Sequence, residues 1–457
     1  MAERTISAYL MPDAKVHLIG IAGVSMAPLA KALFASGIHV TGSDLNEGPV
    51  TKELEALGIC VRKGHLSAYV TGVDAVIRTA AARDDNPEIK AAREQGIPVF
   101  ERAEAWGYIM QQYKNAICIA GTHGKTTTTS MCTHILLAAD LDPTVMIGGS
   151  LAKIQSGHRV GAGDTIVLES CEYYNSFHNF FPTIAVILNV EEDHLDYFKD
   201  LAEIQASFCK FADLVPEDGA IIANGDDKKT MDALCSLTRD VWTFGFGEEN
   251  RISARNVAYQ DVGSTFDLYV ENEFYCTVSL SVPGAHNISN ALAAIGTALI
   301  LGLDATAICE GLSDFTGAGR RFEYKGMVNG ATVYDDYAHH PTELAALIDA
   351  VEKLDFKRCI LAFQPHTYTR TKALFDDFVR ELKRLENVYI TEIFAAREEN
   401  TVGIFAEDVV NAVPGAKYIK TLEEMTAEIR AIAKEGDLIL TVGAGDIFKV
   451  GEMLISS

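Results

Sequence analysis

One stretch constrains this chain more than any other: Ala116-Ile117-Cys118-Ile119-Ala120-Gly121-Thr122-His123-Gly124-Lys125-Thr126-Thr127. The apolar run Ala116 to Ala120 predicts a short buried parallel strand. Gly121 and Gly124 let the backbone close around a ligand where a side chain would intrude. Met131, Ile135, Leu136 and Ala139 recur at helical spacing. They predict an amphipathic helix opening near Lys125, and a helix N-terminus attracts anions through its free N–H groups and its dipole. Lys125 adds a full positive charge and Thr126 a hydroxyl within reach of Mg²⁺. This is the physical recipe for holding a nucleoside triphosphate. The loop is a short form, because Ile119 stands where a longer loop of this kind carries its first glycine. A plain strand-to-helix turn with a chance Gly-Lys-Thr is the alternative.

Other strands run the same way into polar clusters, and ligands sit at the carboxyl edge in open α/β sheets. Asp164 to Glu169 leads into Glu169-Ser170-Cys171-Glu172. Thr183 to Asn189 leads into Asp193-His194-Leu195-Asp196. Ala331 to Tyr334 leads into Asp335-Asp336-Tyr337-Ala338-His339-His340-Pro341-Thr342-Glu343. Cys359 to Phe363 leads into Gln364-Pro365-His366-Thr367-Tyr368-Thr369-Arg370, and Asp437 to Thr441 into Gly443-Ala444-Gly445. Between Val241 and Val282 the pattern turns to β-type alternation. A helix is expected to open at Ser289 or nearby, after Gly284-Ala285-His286-Asn287.

Near the N-terminus, Val16 to Gly20 reads as a strand, followed by Gly20-Ile21-Ala22-Gly23-Val24-Ser25, a helix, a second strand at Ile38 to Gly42, and Ser43-Asp44. This is a dinucleotide-type glycine turn with an acid about 20 residues on. Ala22 and Ser25 replace two of its glycines, so an NAD-dependent oxidoreductase would rest on this turn alone. Asn86-Pro87-Glu88 reads as a helix start.

The chain has 457 residues, and at about 150 residues per domain the expectation is roughly three domains. They are placed at 1–113, 114–318 and 319–457. A net charge of −24 argues against nucleic-acid and membrane-surface partners, so a phosphate site must be locally basic against the global field. Nine cysteines include no C-x-x-C pair and read as reduced core residues of a cytoplasmic protein. No signal-peptide pattern is present. The longest nearly apolar stretch, Ala291 to Leu303, is too short to span a bilayer.

Taken singly, the remaining candidates stay open. Glu169 and His194 suit strand-end scaffolding as well as a hard-cation site with Thr126. Asp335-Asp336 suits a helix cap. Arg320, Arg321 and Arg370 suit a solvated surface as well as phosphate or carboxylate. Asn287 and Asn290 suit a helix start as well as an adenine edge.

Their order along the chain resembles the Mur ligase family over nearly its whole length. The motifs that carry this are Ala-Gly-Thr-His-Gly-Lys-Thr-Thr-Thr-Thr, Asp-Asp-Tyr-Ala-His-His-Pro-Thr-Glu and Gln-Pro-His-x-Tyr-Thr-Arg. The resemblance implies a three-domain α/β architecture: a Rossmann-like N-terminal domain, a central P-loop ATPase-type domain with an added β-rich segment, and a Rossmann-like C-terminal domain. It implies ATP-dependent formation of an acyl phosphate on the lactyl carboxylate of UDP-N-acetylmuramate, then attack by L-alanine; whether the chain acts as a monomer or dimer is left open by the sequence. Addition of a tripeptide to the same sugar nucleotide, as in murein recycling, is the near alternative. A nucleotide-binding regulator without catalysis is the distant one.

Carried over residue by residue, the resemblance gives Gly121, Thr122, His123, Gly124, Lys125, Thr126 and Thr127 to the ATP phosphates. Thr126, Glu169 and His194 go to Mg²⁺, and His286, Asn287 and Asn290 to the adenine side. Arg321 would steady the transferring phosphate and Asp336 the ribose. His339, His366 and Arg370 would line the face where amino acid and acyl phosphate meet, with Lys125, Arg321, His339 and Arg370 as the catalytic set. Gly20, Ala22, Gly23, Ser43, Asp44, Glu172 and His366 would contact the substrates. Two departures stand out: Cys171 replaces an aspartate, and Thr367 stands where many members have arginine. The position of the carbamylated lysine of sibling ligases falls near Phe208 or Cys209, with Lys210 out of register, so no carbamylation is expected.

Overall fold

The computed structural model describes residues 5–79, 81–195, 197–260, 263–396 and 398–456; Asp196, at the end of the segment that carries His194, lies outside them. The described residues form two compact units. The first holds residues up to Ile252 together with Ala293–Ile308; the second holds Ser253–Leu292 and Cys309 onward.

The first unit contains a five-stranded parallel sheet in the order Cys60–Lys63, His39–Asp44, Lys15–Ile19, Ala75–Arg78, Val99–Glu101. The connection reverses direction across Lys15–Ile19, which places a crevice at the carboxyl end of that strand. The helix Pro87–Glu94 starts at the expected place, with the Asn86 side chain accepting from Glu88 N at 2.9 Å.

A second run of strands in this unit has Asn115–Ala120 at its centre. Thr165–Glu169 pairs on one side and Ile184–Ile187 on the other, all parallel. Beyond Ile184–Ile187 come Ala220–Asn224 and Val241–Gly245. Beyond Thr165–Glu169 come Thr144–Leu151 and the antiparallel Ser156–Arg159. Strands covered on both faces read as continuous apolar runs, which is why Ala116 to Ala120 was legible. One apolar cluster joins Val16 and Leu18 of the first sheet, through Trp106, Phe177, Phe208 and Phe211, to Cys118 and Ile187 of the second.

The second unit has an antiparallel pair, Gly263–Val270 with Glu273–Leu280, beside Ile252–Gln260. It also has a six-stranded sheet in the order Glu323–Val328, Ala331–Asp336, Asp437–Val442, Arg358–Phe363, Asn387–Ile390, Lys417–Tyr418. Only the first pairing is antiparallel. Apolar clusters cover both faces, one around Leu344, Leu347 and Phe378, the other around Met425, Ile429 and Leu454. The fold is thus of the α/β class, with doubly wound sheets and a β-rich insertion.

Two expectations need correction, and one open alternative is excluded. The helix expected at Ser289 opens at Ala285, since Gly284 turns with φ +96° and the Asn287 amide bonds Pro283 O at 2.7 Å. Asp335 and Asp336 lie inside their strand; the cap of the next helix, Pro341–Val351, is His340, whose ring accepts from Thr342 N. The cysteines are not all core: Cys118 and Cys132 are buried, Cys60 and Cys235 exposed, and the rest between. Burial pushes the Cys118 and Cys132 thiols up to about 12. No described helix is long and apolar enough to cross a membrane.

Gly107, in the helix Arg102–Met110, marks where backbone meets backbone: an added Cβ would lie 1.9 Å from Asn179 O. Alanine gains about 0.5–1 kcal/mol of helix propensity over glycine, whereas forcing a methyl into a packed contact costs about 1–3 kcal/mol. Gly107→Ala is therefore expected to lower the urea midpoint. A midpoint at or above wild type would show that the carbonyl moves aside freely.

Candidate active site

The phosphate-loop glycines adopt backbone that other residues rarely reach. Gly121 has φ +148° and Gly124 φ +82°, and a Cβ on Gly121 would lie 2.9 Å from Leu188 Cβ. The loop is clamped to the segment after strand Ile184–Ile187. Thr122 N donates to Asn189 O at 3.1 Å, His123 N to Asn189 Oδ1 at 2.7 Å, and Glu191 N to Thr122 Oγ1 at 2.9 Å. The helix Lys125–Ala138 follows at once.

Lys125 folds back over this loop. Its Nζ donates to Gly121 O, to Thr122 O at 3.0 Å and to Glu172 Oε2 at 3.1 Å. Burial alone would lower its pKa, but Glu172 and Glu169 outweigh burial and hold the amine charged. Thr126 Oγ1 donates to Glu169 Oε2 at 3.0 Å, and Gly148 N donates to the same oxygen at 2.7 Å. A Cβ on Gly148 would collide with that carboxylate at 2.7 Å, so the glycine makes room for it.

Of the expected metal set, the structure brings Thr126 and Glu169 into direct contact. His194 instead faces Glu172, with its Nε2 3.9 Å from Glu172 Oε1 and its ring stacked on Tyr173 at 4.3 Å. Glu172, expected among the substrate contacts, lies beside Lys125 and His194 and is only 3% exposed. Burial, with Glu172 beside it, pushes the Cys171 thiol up to about 11, so the group that replaces an aspartate here is neutral. Phe208 is buried and Lys210 exposed on the helix Leu201–Ala212.

At the N-terminal sheet, Gly20 N and Ile21 N donate to Ser43 O at 2.8 and 3.0 Å, and Ala22 N donates to Asp44 Oδ2 at 3.0 Å. Gly23 N donates to Gly20 O at 3.0 Å, closing the turn. The Ser43 hydroxyl turns inward from this turn. It is fully buried and donates to Glu88 Oε2 at 2.8 Å. Glu88, His65 and His17 form a polar cluster that sequence reasoning missed. The available signal was Glu88 itself, which sits on the apolar stripe of its helix with Ala91 and Ala92, where a carboxylate must find partners.

In the second unit, His286, Asn287 and Asn290 lie in the first turns of helix Ala285–Ile300. Burial lowers the His286 pKa to about 4, with Lys353 and Arg321 adding to it, so the ring is neutral at pH 7. Arg320 is a structural residue. It bonds Asp335 at 2.9 Å and the carbonyls of Gly443 and Gly445, and lies over the Phe448 ring. Arg321 is 3.9 Å from Glu343 Oε1 and lies over Tyr337. Glu343 Oε2 also sits 3.2 Å from His339 Nδ1, and the His339 ring lies 5.7 Å from that of His366. His366 Nδ1 is 3.2 Å from Arg370 Nη1. Arg321, His339, His366 and Arg370 thus form one contiguous set, joined by Glu343, which the sequence marked only as part of a motif. Thr367, the other departure, holds φ +63°, a strained value for a β-branched residue.

Asp336 accepts from Phe322 N and Ala338 N, both at 2.7 Å. Burial nevertheless raises its pKa to about 6, against the pull of Arg321.

With this geometry in view, the sequence matches three family models. These are the Mur ligase family catalytic domain over 15–114, the Mur ligase middle domain over 119–298 and the Mur ligase glutamate ligase domain over 320–445. The chain is 46% identical to the UDP-N-acetylmuramate–L-alanine ligase of Clostridium novyi and 44% identical to that of Clostridium perfringens. The match covers 97% of both chains in the first case, and 96% of this chain and 97% of the relative in the second. Among solved structures, the UDP-N-acetylmuramate-alanine ligase of Thermotoga maritima superposes with a TM-score of 0.81 at 28% identity, covering 96% of this chain and 98% of its own. A murein peptide ligase of Psychrobacter arcticus gives 0.69 at 26%, covering 97% and 98%. Similarity of this extent, in sequence and in fold alike, means that the chain belongs to the Mur ligase family.

Proposed function

We propose that this protein joins L-alanine to the lactyl carboxylate of UDP-N-acetylmuramate, using ATP and releasing ADP and phosphate, as a step of peptidoglycan synthesis. The observation that carries the reading is the cluster around the phosphate loop, where Lys125, Thr126, Glu169, Glu172 and His194 converge. The relatives named above support the substrates. In this reading residues 1–113 handle the sugar nucleotide, 114–318 the ATP, and 319–457 the amino acid.

The lactyl carboxylate attacks the γ-phosphorus, forming the acyl phosphate and expelling ADP. The amine of L-alanine then attacks the acyl carbon, and phosphate leaves. Charge develops on the transferring phosphoryl oxygens, so fixed cations and amides carry most of the catalysis. Lys125 supplies the cation at the loop, and the amides after Gly124 supply the dipole. Arg321 and Arg370 would serve the same chemistry, with His339 and His366 beside them orienting the amine. Asn287 and Asn290 would read the adenine edge, with neutral His286 packed beside them.

The donor set fits Mg²⁺: Thr126 and Glu169 already share a contact, and Glu172 adds a second carboxylate with His194 next to it. Oxygen donors of this kind suit a hard cation. When bound there, Mg²⁺ would neutralise phosphate charge. Lys125 and the loop amides hold and orient the phosphates.

Three outcomes are expected. Phosphate release with UDP-N-acetylmuramate and ATP should be strongest with L-alanine in an amino-acid panel. Selective stimulation by L-alanyl-γ-D-glutamyl-diaminopimelate would instead assign a recycling role, and binding of ATP without turnover a regulatory one. Lys125→Ala should lower turnover by about 10²–10³. It also leaves Glu172 without its cation, so turnover is compared where circular dichroism shows the variant folded; near-wild-type rates there would remove this lysine from the chemistry.

The third outcome concerns pH. The folded pKa of Asp336, about 6, lies above its ordinary value, so the stability it contributes is present at low pH and is lost as pH rises through about 6. The ionised form accepts a ribose hydroxyl more strongly than the neutral acid does. Turnover at subsaturating ATP should therefore rise from pH 5 to 7 with a midpoint near 6, and Asp336→Asn should flatten that rise. A midpoint unmoved in the variant assigns the titration elsewhere.

A further inference from the structure

The cluster beneath the N-terminal glycine turn has a feature that packing does not require. Glu88 is fully buried, and a buried carboxylate is costly unless its partners offset the loss of water. Its Oε2 accepts from Ser43 Oγ at 2.8 Å and lies 3.0 Å from His65 Nδ1. Its Oε1 lies 3.6 Å from His17 Nε2, and neither of these two buried atoms has a hydrogen-bond partner. Burial alone would raise the Glu88 pKa, but His17 and Ser43 outweigh it, so the group stays ionised. An ionised carboxylate has thus been placed at a fully buried position, where an apolar side chain would be cheaper. Buried charge of this kind points to a positioning role.

Glu88 holds His65. The imidazole is held by Nδ1, which Ser43 Oγ also approaches at 3.1 Å, and the side chain remains 17% exposed. A carboxylate on one ring nitrogen fixes ring orientation and leaves the other nitrogen to a ligand. The backbone puts that ring at the sheet's carboxyl edge. Gly64 turns with φ +75° and its N–H donates to Asp44 O at 2.7 Å, while the Asp44 carboxylate holds Ala22 N of the glycine turn. The Ser43 carbonyl holds Gly20 N and Ile21 N. His65, Asp44 and Gly20–Gly23 therefore belong to one hydrogen-bonded edge, at the crevice where a parallel sheet of this order takes a nucleotide.

We propose that His65 contacts the uridine nucleotide through Nε2, and that Glu88 is the positioning residue that aims it. This rests on the sugar-nucleotide reading above and adds two residues to it. The rival is that Glu88 and His65 only staple the helix Pro87–Glu94 to the sheet.

Two amides separate these readings in the full-length protein. In His65→Asn the side-chain nitrogen falls near the Nδ1 position and keeps the bond to Glu88 while losing Nε2. In His65→Gln the nitrogen falls near the Nε2 position. Calorimetric titration with UDP, uridine and inorganic pyrophosphate is run beside thermal melts and the KM for ATP. The expected result is UDP affinity weakened about tenfold or more in His65→Asn, the scale of one lost hydrogen bond to a charged or polar ligand group. His65→Gln should recover part of it, Glu88→Gln should weaken UDP binding without changing the KM for ATP, and the melting temperature of His65→Asn should match wild type. Loss with pyrophosphate assigns the contact to the phosphates; loss with uridine assigns it to the nucleoside. Wild-type UDP affinity in His65→Asn, or UDP affinity and melting temperature falling together in both amides, overturns the inference alone. Failure of the wild-type protein to bind UDP removes the sugar-nucleotide reading and this inference with it.

Discussion

The hydrogen bonds between Asn189 and the phosphate loop are the contact on which this site depends. A loop that cradles phosphates must present its amides outward, which leaves it little internal hydrogen bonding of its own. Asn189 supplies what is missing from outside: its carbonyl takes Thr122 N, its side-chain oxygen takes His123 N, and its amide donates to His123 O at 3.1 Å. The loop is thereby fixed by the neighbouring strand, and the close approach of Gly121 to Leu188 follows from the same clamp. Lys125 and Glu172 then meet over this loop, and Glu169 reaches Thr126 from the strand on the other side.

Charge in this protein is organised by burial more than by sequence distance. With a net charge of −24, carboxylates are plentiful, yet the ones that matter are few and enclosed. Glu172 is paired with a lysine, Glu88 with imidazoles and a hydroxyl, and Asp336 with backbone amides. Glu88 remains ionised because its partners outweigh desolvation, while Glu172 faces a full cation at 3.1 Å. Asp336 has only neutral donors in contact and a more distant arginine, and its pKa rises. The same type of side chain thus carries different chemistry according to what faces it.

What the sequence disclosed, and what it hid, follows the same lines. Strands such as Ala116 to Ala120 and Asp437 to Thr441 were legible because burial on both faces leaves an uninterrupted apolar run. The phosphate loop was legible because glycine spacing and a lysine are local signals. Boundaries set by a single tertiary bond were not, as at Ala285, where a contact from Asn287 to Pro283 starts the helix early. Nor could sequence show that Glu172 turns toward Lys125, that Glu343 bridges Arg321 and His339, or that Ser43 points into the core. Each depends on which strand end lies next to which, a property of sheet order that no local pattern encodes.

The division of the chain has a consequence for its synthesis. The first unit is not finished when residue 252 leaves the ribosome, because Ala293–Ile308 belong to it. Gly296 packs against Ile222 and Ile252 there, with the nearest side-chain atoms 3.1 Å from where its Cβ would stand. Forty residues of the other unit, 253 to 292, must emerge first. Domains that fold as they are made can bury their apolar surface in order of appearance. This chain cannot, and the faces of Ile222 and Ile252 stay uncovered until a later part of the nascent polypeptide returns to them.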